Sequence, residues 1–264
     1  MTKRHDIIWL KSVDSTNSEA RRRFSEIDNL SVLSAECQTA GRGQRGNRWS
    51  SAPGENLTFS IVLKFAFDSS DSILPELRAY DQFAISEIAA LSVVDFLAAH
   101  DIETKIKWPN DIYVDKKKIC GILIENSLFG NKVSGSIVGI GLNVNQLIFD
   151  PALPNPTSVA LCLKEKGLND RQLDIKAGIS EFLEIFNEKY QSYLIEKNRL
   201  KMLRQSYLEK MWLLNESAQF IDTSDNTEFT GTIQGLSEVG NLLVGLPDGS
   251  VKEFGFKDIS YLLS

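Results

Sequence analysis

Cysteine and histidine are scarce in this chain, which has three cysteines and two histidines among 264 residues. Cys37, Cys120 and Cys162 are odd in number and show no C-x-x-C spacing, which argues against a disulfide framework and against a zinc cluster. Neither His5 nor His100 lies in a pattern that pairs a nucleophile with a base. We therefore expect a reducing compartment and surface positions for both histidines.

Long apolar runs and an excess of positive charge are also absent. No stretch approaches the ~18 residues that a membrane helix requires, and the run 7–10 is too short for the core of a signal peptide. The net charge of −6 disfavours binding of nucleic acid by the surface as a whole. These absences predict a cytoplasmic protein that binds neither membranes nor nucleic acid.

Glycine and arginine alternate in one loop, residues 41–49, whose sequence is GRGQRGNRW. Glycine allows the backbone to approach a ligand closely, and arginine offers a fork of donors that suits carboxylates and phosphates. The first six residues match G-x-G-x-x-G, but a Pro-Gly loop follows instead of a helix, so the dinucleotide motif fails; no P-loop motif occurs either. On its own, this loop leaves a nucleotide, an RNA backbone and a small acid open as ligands.

The spacing of apolar residues predicts an α+β protein with a mixed sheet flanked by helices. Strands are expected at 7–13, 31–36, 57–65, 119–125 and 133–144, and helices from 16, over 77–99, near 157–158, and over 171–196 and 201–211. Residues 216–264 alternate as short strands between turns and predict a separate small all-β unit. Thr16 and Glu19 fit a capping box, and spacing alone favours one cap and one solvated hydroxyl for Ser15 and Thr16.

Polar residues collect at the predicted strand ends and in the loops beside them. They are Ser15, Thr16, Gln38, Arg42 to Arg45, Lys107, Asn110, Asp111, Lys118 and Asn143. The set offers donors for an amide-like group and cations for an acid and for phosphates, without a nucleophile. It suits a reaction in which a substrate carboxylate attacks a phosphate while the protein positions and stabilises charge. The strand glycines at 135, 139 and 141 require a bulge, close packing or a ligand face.

Five segments occur in one order along the chain, and together they resemble the biotin protein ligases. They are 14–17 (DSTN), 38–49 (QTAGRGQRGNRW), 107–111 (KWPND), 118–125 (KICGILIE) and 139–143 (GIGLN). The resemblance covers most of residues 12–145. It implies a catalytic domain of the class II aminoacyl-tRNA synthetase-like fold over residues 1–214, followed by an SH3-like β-barrel domain over residues 215–264.

The resemblance implies a reaction in two steps. Biotin and ATP, with Mg²⁺, form biotinyl-5′-AMP, and a lysine of a biotin carboxyl carrier protein then attacks this intermediate. The expected enzyme is a monomer or a homodimer. Since the catalytic region begins almost at Met1 and leaves no room for a repressor domain, we expect a monofunctional ligase that does not bind an operator.

The resemblance also implies roles for individual residues. Lys118 and Arg42 are the expected catalytic residues, and no metal ligand is assigned. The biotin site comprises Ser15, Thr16, Asn17, Gln38, Gly41, Arg42, Gly43, Gln44, Lys118, Gly121 and Gly139. The ATP and adenylate site comprises Arg45, Arg48, Trp49, Lys107, Asn110, Asp111 and Asn143. Arg42 and Gly43 are expected to meet the carboxylate through the backbone, and Trp49 to cover the nucleotide.

Two other functions remain to be tested against this one. A lipoate–protein ligase resembles a biotin ligase in fold and mechanism, but lipoyl has little to hydrogen-bond, so the polar Ser15, Thr16 and Gln38 favour biotin. An RNA-binding protein with an RGG-like loop is disfavoured by the acidic charge. Gln44 stands where some biotin ligases have arginine, which predicts a different retention of the intermediate.

Overall fold

The computed structural model describes residues 6–67, 74–168, 172–196 and 198–262, together with all their side chains except that of Arg45. Three predictions therefore lie outside the described residues. They are the surface position of His5, the start of a helix at Arg171, and the contact between the Arg45 side chain and the nucleotide.

Twelve strands and five α-helices form the described part of the chain. The strands are β1 (Ile7–Val13), β2 (Val32–Gln38), β3 (Asn56–Lys64), β4 (Lys105–Lys107), β5 (Asp111–Val114), β6 (Lys117–Phe129), β7 (Lys132–Asn143), β8 (Ser217–Asp222), β9 (Thr227–Leu236), β10 (Leu242–Gly245), β11 (Val251–Phe254) and β12 (Ile259–Tyr261). The helices are α1 (Thr16–Arg22), α2 (Phe83–Ala99), α3 (Val159–Glu165), α4 (Ile175–Ile195) and α5 (Arg199–Glu209).

The strands form two sheets. The first has the order β1-β2-β3-β7-β6-β5-β4, in which β1 and β2 are parallel and every other pair is antiparallel. The second is antiparallel, with the order β11-β10-β9-β8-β12. The predicted α+β class, with a mixed sheet followed by a small β unit, is confirmed.

The two faces of the larger sheet have different partners. Leu57, Phe59 and Ile61 of β3 belong to the main core, which also contains α2 and α4. Val62 points the other way and packs with Ala20 of α1. Because side chains alternate along a strand, Thr58 and Ser60 share the face of Val62 and lie on the side of the sheet that carries α1.

Helix α2 differs from its prediction in length and in burial. The chain forms a 3-10 turn at Ala79–Asp81 before α2 begins, and Tyr80, predicted as part of an apolar stripe, is 49% exposed. The helix proper is buried on almost every side, because the sheet, α4 and α5 surround it. Even Glu87 is inaccessible; it pairs with Arg204 of α5, and burial raises the pKa of Glu87 to about 7.

One helical stretch, residues 79–99, is long and apolar enough by composition to cross a membrane. In this fold 72% of its most apolar window is buried, so the composition reflects packing inside the core.

The second sheet packs against the end of the first at the Trp108–Pro109 segment. Trp108 Nε1 donates to the Gly240 carbonyl at 2.9 Å, and its ring centroid lies 5.4 Å from that of Phe256. Arg204 adds a link by donating to the Ser237 carbonyl. These contacts bring β12 beside the polar loops of the larger sheet.

Candidate functional site

Glycines form the floor of the site on the α1 side of the larger sheet. Gly121 of β6 pairs with Gly141 of β7, and Gly139 pairs with Leu123. A Cβ added to Gly141 would lie 2.4 Å from Trp49 Cε2, and one added to Gly139 would lie 2.2 Å from Asn17 Oδ1. Of the reasons predicted for strand glycines, close packing applies to all three, since Gly135 packs against Phe24 and also lies beside a bulge of β6, and Gly139 and Gly141 line the cavity as well.

The start of α1 is buried and tied to the end of β2. Ser15 is only 2% exposed and Thr16 only 3%. The Thr16 N–H donates to Gln38 Oε1 at 2.8 Å, and the Thr16 hydroxyl lies 3.2 Å from the same oxygen. The predicted capping box is wrong, because Ser15 is the N-cap without a side-chain cap and Glu19 accepts from Arg22. Neither hydroxyl is solvated, so that expectation is wrong as well.

Asn17 joins α1 to the sheet through both ends of its amide. Its Nδ2 donates to the Leu123 carbonyl at 3.2 Å and to Glu125 Oε2 at 3.0 Å. Its Oδ1 accepts from Ser60 Oγ at 2.6 Å. Both amide hydrogens are thus used within the protein, so Asn17 lines the site chiefly as part of its framework.

Loop 41–49 is a small folded hairpin. Gly43 N–H donates to the Asn47 carbonyl at 2.7 Å and Trp49 N–H to the Gly41 carbonyl at 3.0 Å. These bonds flank a bridge between Arg42 and Arg48, so the N–H of Arg42 is directed away from the hairpin. The hairpin itself therefore does not use this N–H, and the predicted contact between it and a ligand stays a prediction.

The side chain of Arg42 pairs with a carboxylate of the sheet. Arg42 Nη2 lies 3.1 Å from Glu125 Oε1, and Arg21 Nη2 lies 2.5 Å from the same oxygen. Glu125 therefore anchors both the hairpin and α1. Sequence reasoning included Glu125 in a motif but gave it no role, because the contact joins residues 83 positions apart.

Trp49 lies over the glycine floor. Its ring packs against Gly141 and Gly121, and Lys118 Nζ lies 5.9 Å from the ring centroid. No described residue accepts a hydrogen bond from the buried Trp49 Nε1. The hairpin thereby places an aromatic face inside the site.

Two lysines also line the site. Lys118 Nζ lies 2.6 Å from Asp111 Oδ1, with the lysine side chain 32% exposed. Lys107 Nζ lies 5.0 Å from the ring centroid of Tyr113 and 4.9 Å from that of Tyr261. Burial lowers the pKa of Lys107, while Asp111 opposes this shift. Asn110 Nδ2 donates to the Ile122 carbonyl at 2.5 Å, which fixes the turn before β5.

These groups line one cavity of about 380 Å³. It collects the predicted residues Ser15, Thr16, Asn17, Gln38, Arg42, Gly43, Gln44, Arg48, Trp49, Lys107, Asn110, Asp111, Lys118, Gly121 and Gly139. Its walls also include Phe256, Ile259, Ser260 and Tyr261 of the second sheet. Sequence reasoning missed these four, since no motif marks which side of a small β unit faces a neighbouring domain.

Of the predicted residues whose side chains are described, two do not line the cavity. Gly41 is buried behind it, where a Cβ would lie 2.3 Å from the Trp49 carbonyl oxygen, so it allows the hairpin to close. Asn143 is buried, and its Nδ2 donates to the Thr157 carbonyl at 2.9 Å. The contacts of both residues are with the protein framework.

The part of the chain that forms this site is similar in sequence to a known protein family. Residues 9–143 match the model of the biotin/lipoate A/B protein ligase family, and this range contains the hairpin, the glycine floor and both lysines. The chain belongs to the biotin/lipoate A/B protein ligase family. The predicted resemblance and the predicted enzyme class, a biotin ligase, are confirmed.

Individual members of the family align over most of the chain. The bifunctional ligase/repressor BirA of Bacillus spizizenii is 30% identical over 93% of this chain and 71% of its own length. The biotin–[acetyl-CoA-carboxylase] ligase of Paracoccus denitrificans is 27% identical over 91% of this chain and 94% of its own. A biotin protein ligase from Aquifex aeolicus, solved with biotin and ATP, superimposes with a TM-score of 0.75 at 28% identity and covers 98% of this chain and 99% of its own.

Proposed function

We propose that this chain attaches biotin to a specific lysine of a biotin carboxyl carrier protein, using ATP and a biotinyl-5′-AMP intermediate. The observation that carries the proposal is a single cavity that combines the Thr16–Gln38 pair with Lys118 and the outward N–H of Arg42. The pair suits the ureido ring of biotin, which needs donors and acceptors together. The cations and the N–H suit its carboxylate.

In the first step, a carboxylate oxygen of biotin attacks the α-phosphorus of ATP and pyrophosphate leaves with the electrons of the broken P–O bond. Two anions must approach each other for this attack. Lys118, held by Asp111, supplies positive charge next to the reacting oxygens, and the Arg42 N–H holds the carboxylate. Such preorganised charge lowers the barrier without rearrangement during the reaction.

In the second step, the ε-amine of the carrier lysine attacks the acyl carbon and AMP leaves, while the amine loses a proton. The acyl-adenylate is sensitive to water, so a cover over the intermediate is useful. Trp49, presented by a hairpin whose short turn contains Gly46 at a φ of 81°, supplies an aromatic face for this cover.

Mg²⁺ is proposed to enter with ATP. Mg²⁺ is usually held by substrate phosphates, water and one or two carboxylates. Among the described residues that line the cavity, Asp111 is the only carboxylate, and no group of three or more potential metal ligands occurs in the described chain. The site fits an ion carried by the nucleotide, with Asp111 as its protein contact, and the ion supplies charge neutralisation at the phosphates.

The second sheet is proposed to help position Lys107 for the nucleotide through Tyr261. Replacing Tyr261 with leucine removes one of the two rings beside the ammonium, and a cation–π contact contributes about 0.5–2 kcal/mol. We expect the KM for ATP to rise about two- to thirtyfold with little change in the KM for biotin. Steady-state pyrophosphate release measures both constants.

Two variants control for a general weakening of the second sheet. Tyr261→Phe keeps the ring and removes a hydroxyl that has no described partner, so it should resemble the unchanged protein. Phe254→Leu perturbs the stacked Phe229–Phe254 pair away from the cavity. An equal rise in the KM for ATP in Phe254→Leu would assign the effect to stability and refute the role of Tyr261.

Further parts of the proposal concern the whole molecule. We propose a catalytic domain over residues 1–214 and an SH3-like domain over 215–264, supported by the separate sheet β8–β12. A cytoplasmic location, a monomeric or homodimeric state and the lack of operator binding stay predictions. Cell fractionation, sedimentation and a gel-shift assay test them.

The proposed function is tested by offering the protein ATP, an apo-carrier domain and either biotin or lipoate. We expect pyrophosphate release and a covalently modified carrier with biotin alone. Transfer of lipoate instead would place the chain with the lipoate ligases of the same family. Salt-sensitive RNA binding without biotin-dependent pyrophosphate release would support the RNA-binding alternative.

A further inference from the structure

Ser60 lies against the part of the cavity wall that Thr16 and Asn17 form, called here the polar end of the cavity. It is fully buried on β3, opposite Gly139 of β7. Its Oγ lies 2.6 Å from Asn17 Oδ1 and 2.8 Å from the Thr16 hydroxyl. No sequence motif indicated Ser60, and it does not line the cavity itself. It touches two of the residues that do.

The direction of each hydrogen bond in this group follows from the number of hydrogens available. Asn17 Nδ2 faces two acceptors, the Leu123 carbonyl and Glu125, so the atom that faces Ser60 is an oxygen and can only accept. The single hydroxyl hydrogen of Ser60 must therefore go to Asn17. The Thr16 hydrogen has two oxygens within reach, Ser60 Oγ at 2.8 Å and Gln38 Oε1 at 3.2 Å. Because the Ser60 hydrogen goes to Asn17, the shorter contact requires the Thr16 hydrogen, so Thr16 donates to Ser60.

The hydrogen bonds of Gln38 and Thr16 determine which of their atoms are left for a ligand. Gln38 Oε1 accepts from the Thr16 N–H at 2.8 Å, so Gln38 turns its Nε2 donor to the other side. The Thr16 hydroxyl, having given its hydrogen to Ser60 at 2.8 Å, keeps a lone pair for the cavity.

We propose that Ser60 is a specificity-determining residue that holds the Thr16 hydroxyl as an acceptor for a ureido N–H of the substrate. Ser60 acts through Thr16 and Asn17 and does not touch the substrate. The inference rests on the proposed biotin ligase function and adds the origin of its selectivity. A buried site built around hydrogen bonds discriminates strongly against analogues that lack the matching group.

Ser60→Ala tests this role, and Thr58→Val is its matched control. Thr58 lies on the same strand and face, is also buried, and donates its hydroxyl hydrogen to the Ala35 carbonyl at 2.7 Å without lining the cavity. Each variant removes one buried hydroxyl and one or two hydrogen bonds. We expect Ser60→Ala to raise the KM for biotin about tenfold and to leave the KM for ATP unchanged. Thr58→Val should leave both unchanged.

A second measurement separates orientation from simple packing. The probes are biotin and the two analogues in which one or the other ureido N–H is replaced by oxygen. The unchanged protein should reject at least one analogue, because that analogue places an oxygen against the lone pair of the Thr16 hydroxyl. In Ser60→Ala the Thr16 hydrogen keeps only its longer contact, with Gln38 Oε1 at 3.2 Å, and can turn toward the oxygen of the analogue. The preference for biotin should then fall about tenfold. In Thr58→Val it should stay the same.

The outcomes distinguish the inference from the function on which it rests. If the unchanged protein shows no biotin-dependent pyrophosphate release, the proposed function fails. If it is active but Ser60→Ala keeps the full preference for biotin over both analogues, or Thr58→Val loses it equally, the role of Ser60 is refuted.

Discussion

Replacing Lys118 with alanine is expected to slow biotin-dependent pyrophosphate release by about 10²–10³-fold, the usual effect of removing one preorganised electrostatic group. Lys118 is the lysine that Asp111 holds at 2.6 Å on the cavity wall. Its ammonium is proposed to offset the charge of a carboxylate that attacks a phosphate. Steady-state and single-turnover pyrophosphate release measure the loss.

The fold should tolerate this change. The Lys118 side chain is 32% exposed, and partly exposed ion pairs of this kind contribute about 0–1 kcal/mol to stability. Lys117→Ala is the matched control: it removes the same charge from the next position, where the side chain is 52% exposed and pairs with Glu165 outside the cavity. If Lys118→Ala releases pyrophosphate at the same rate as Lys117→Ala, Lys118 has no catalytic role.

Alanine at position 139 is expected to weaken biotin binding about 100-fold. Its Cβ would lie 2.2 Å from Asn17 Oδ1 and 2.9 Å from Asn17 Cγ, so the amide must leave its place. Asn17 then loses hydrogen bonds to Ser60, Leu123 and Glu125, each contributing about 1 kcal/mol, and overpacking adds about 1–3 kcal/mol. Titration calorimetry with biotin measures the change in affinity.

Gly135→Ala provides a control on the same strand. There the Cβ would lie 2.2 Å from Phe24 Cζ, a contact equally close but remote from the cavity. Both variants should lower the melting temperature, Gly139→Ala by more because it also loses the Asn17 hydrogen bonds, whereas only Gly139→Ala should lose biotin affinity. Unchanged biotin affinity in Gly139→Ala would show that the Asn17 framework does not shape the biotin site.

The polar end of the site shows where local patterns mislead. Thr16 and Glu19 have the spacing of a capping box, yet the Thr16 N–H turns to Gln38, which is 22 residues away. The strands β1 and β2 are parallel, so their ends bring the start of α1 beside the end of β2. A local rule makes one hydroxyl of Ser15 and Thr16 a helix cap and the other a solvated group, whereas the sheet buries both residues.

For the glycine–arginine hairpin, residues 41–49, the sequence also predicted one property of the loop and missed another. Its glycines predicted close approach of the backbone to a ligand, and the structure shows Gly41 in close contact with the backbone of Trp49 instead, where it leaves no space for a Cβ. The sequence did not indicate that the Arg42 side chain would be held by Glu125 on β6, with its backbone N–H unused by the hairpin. The effect of Gln44, which lines the cavity, on retention of the intermediate stays a prediction.

The sequence by itself determined the fold class, the strand pattern and the family. Strand β1 ends where its apolar run ends, and β7 lies within one residue of its predicted bounds. These features depend on neighbours along the chain, and the five ordered motifs carry the resemblance through residue identity alone.

Only the tertiary structure decided which atoms meet. The pairing of β3 with β7 places Ser60 opposite Gly139, and the packing of the second sheet brings Tyr261 to Lys107. Such contacts join residues 79 and 154 positions apart, and they arise from sheet register and from the way the two sheets pack. Neither contact leaves a local signal in the sequence. The residues around Ser60 or Tyr261 would read the same if no site lay beside them.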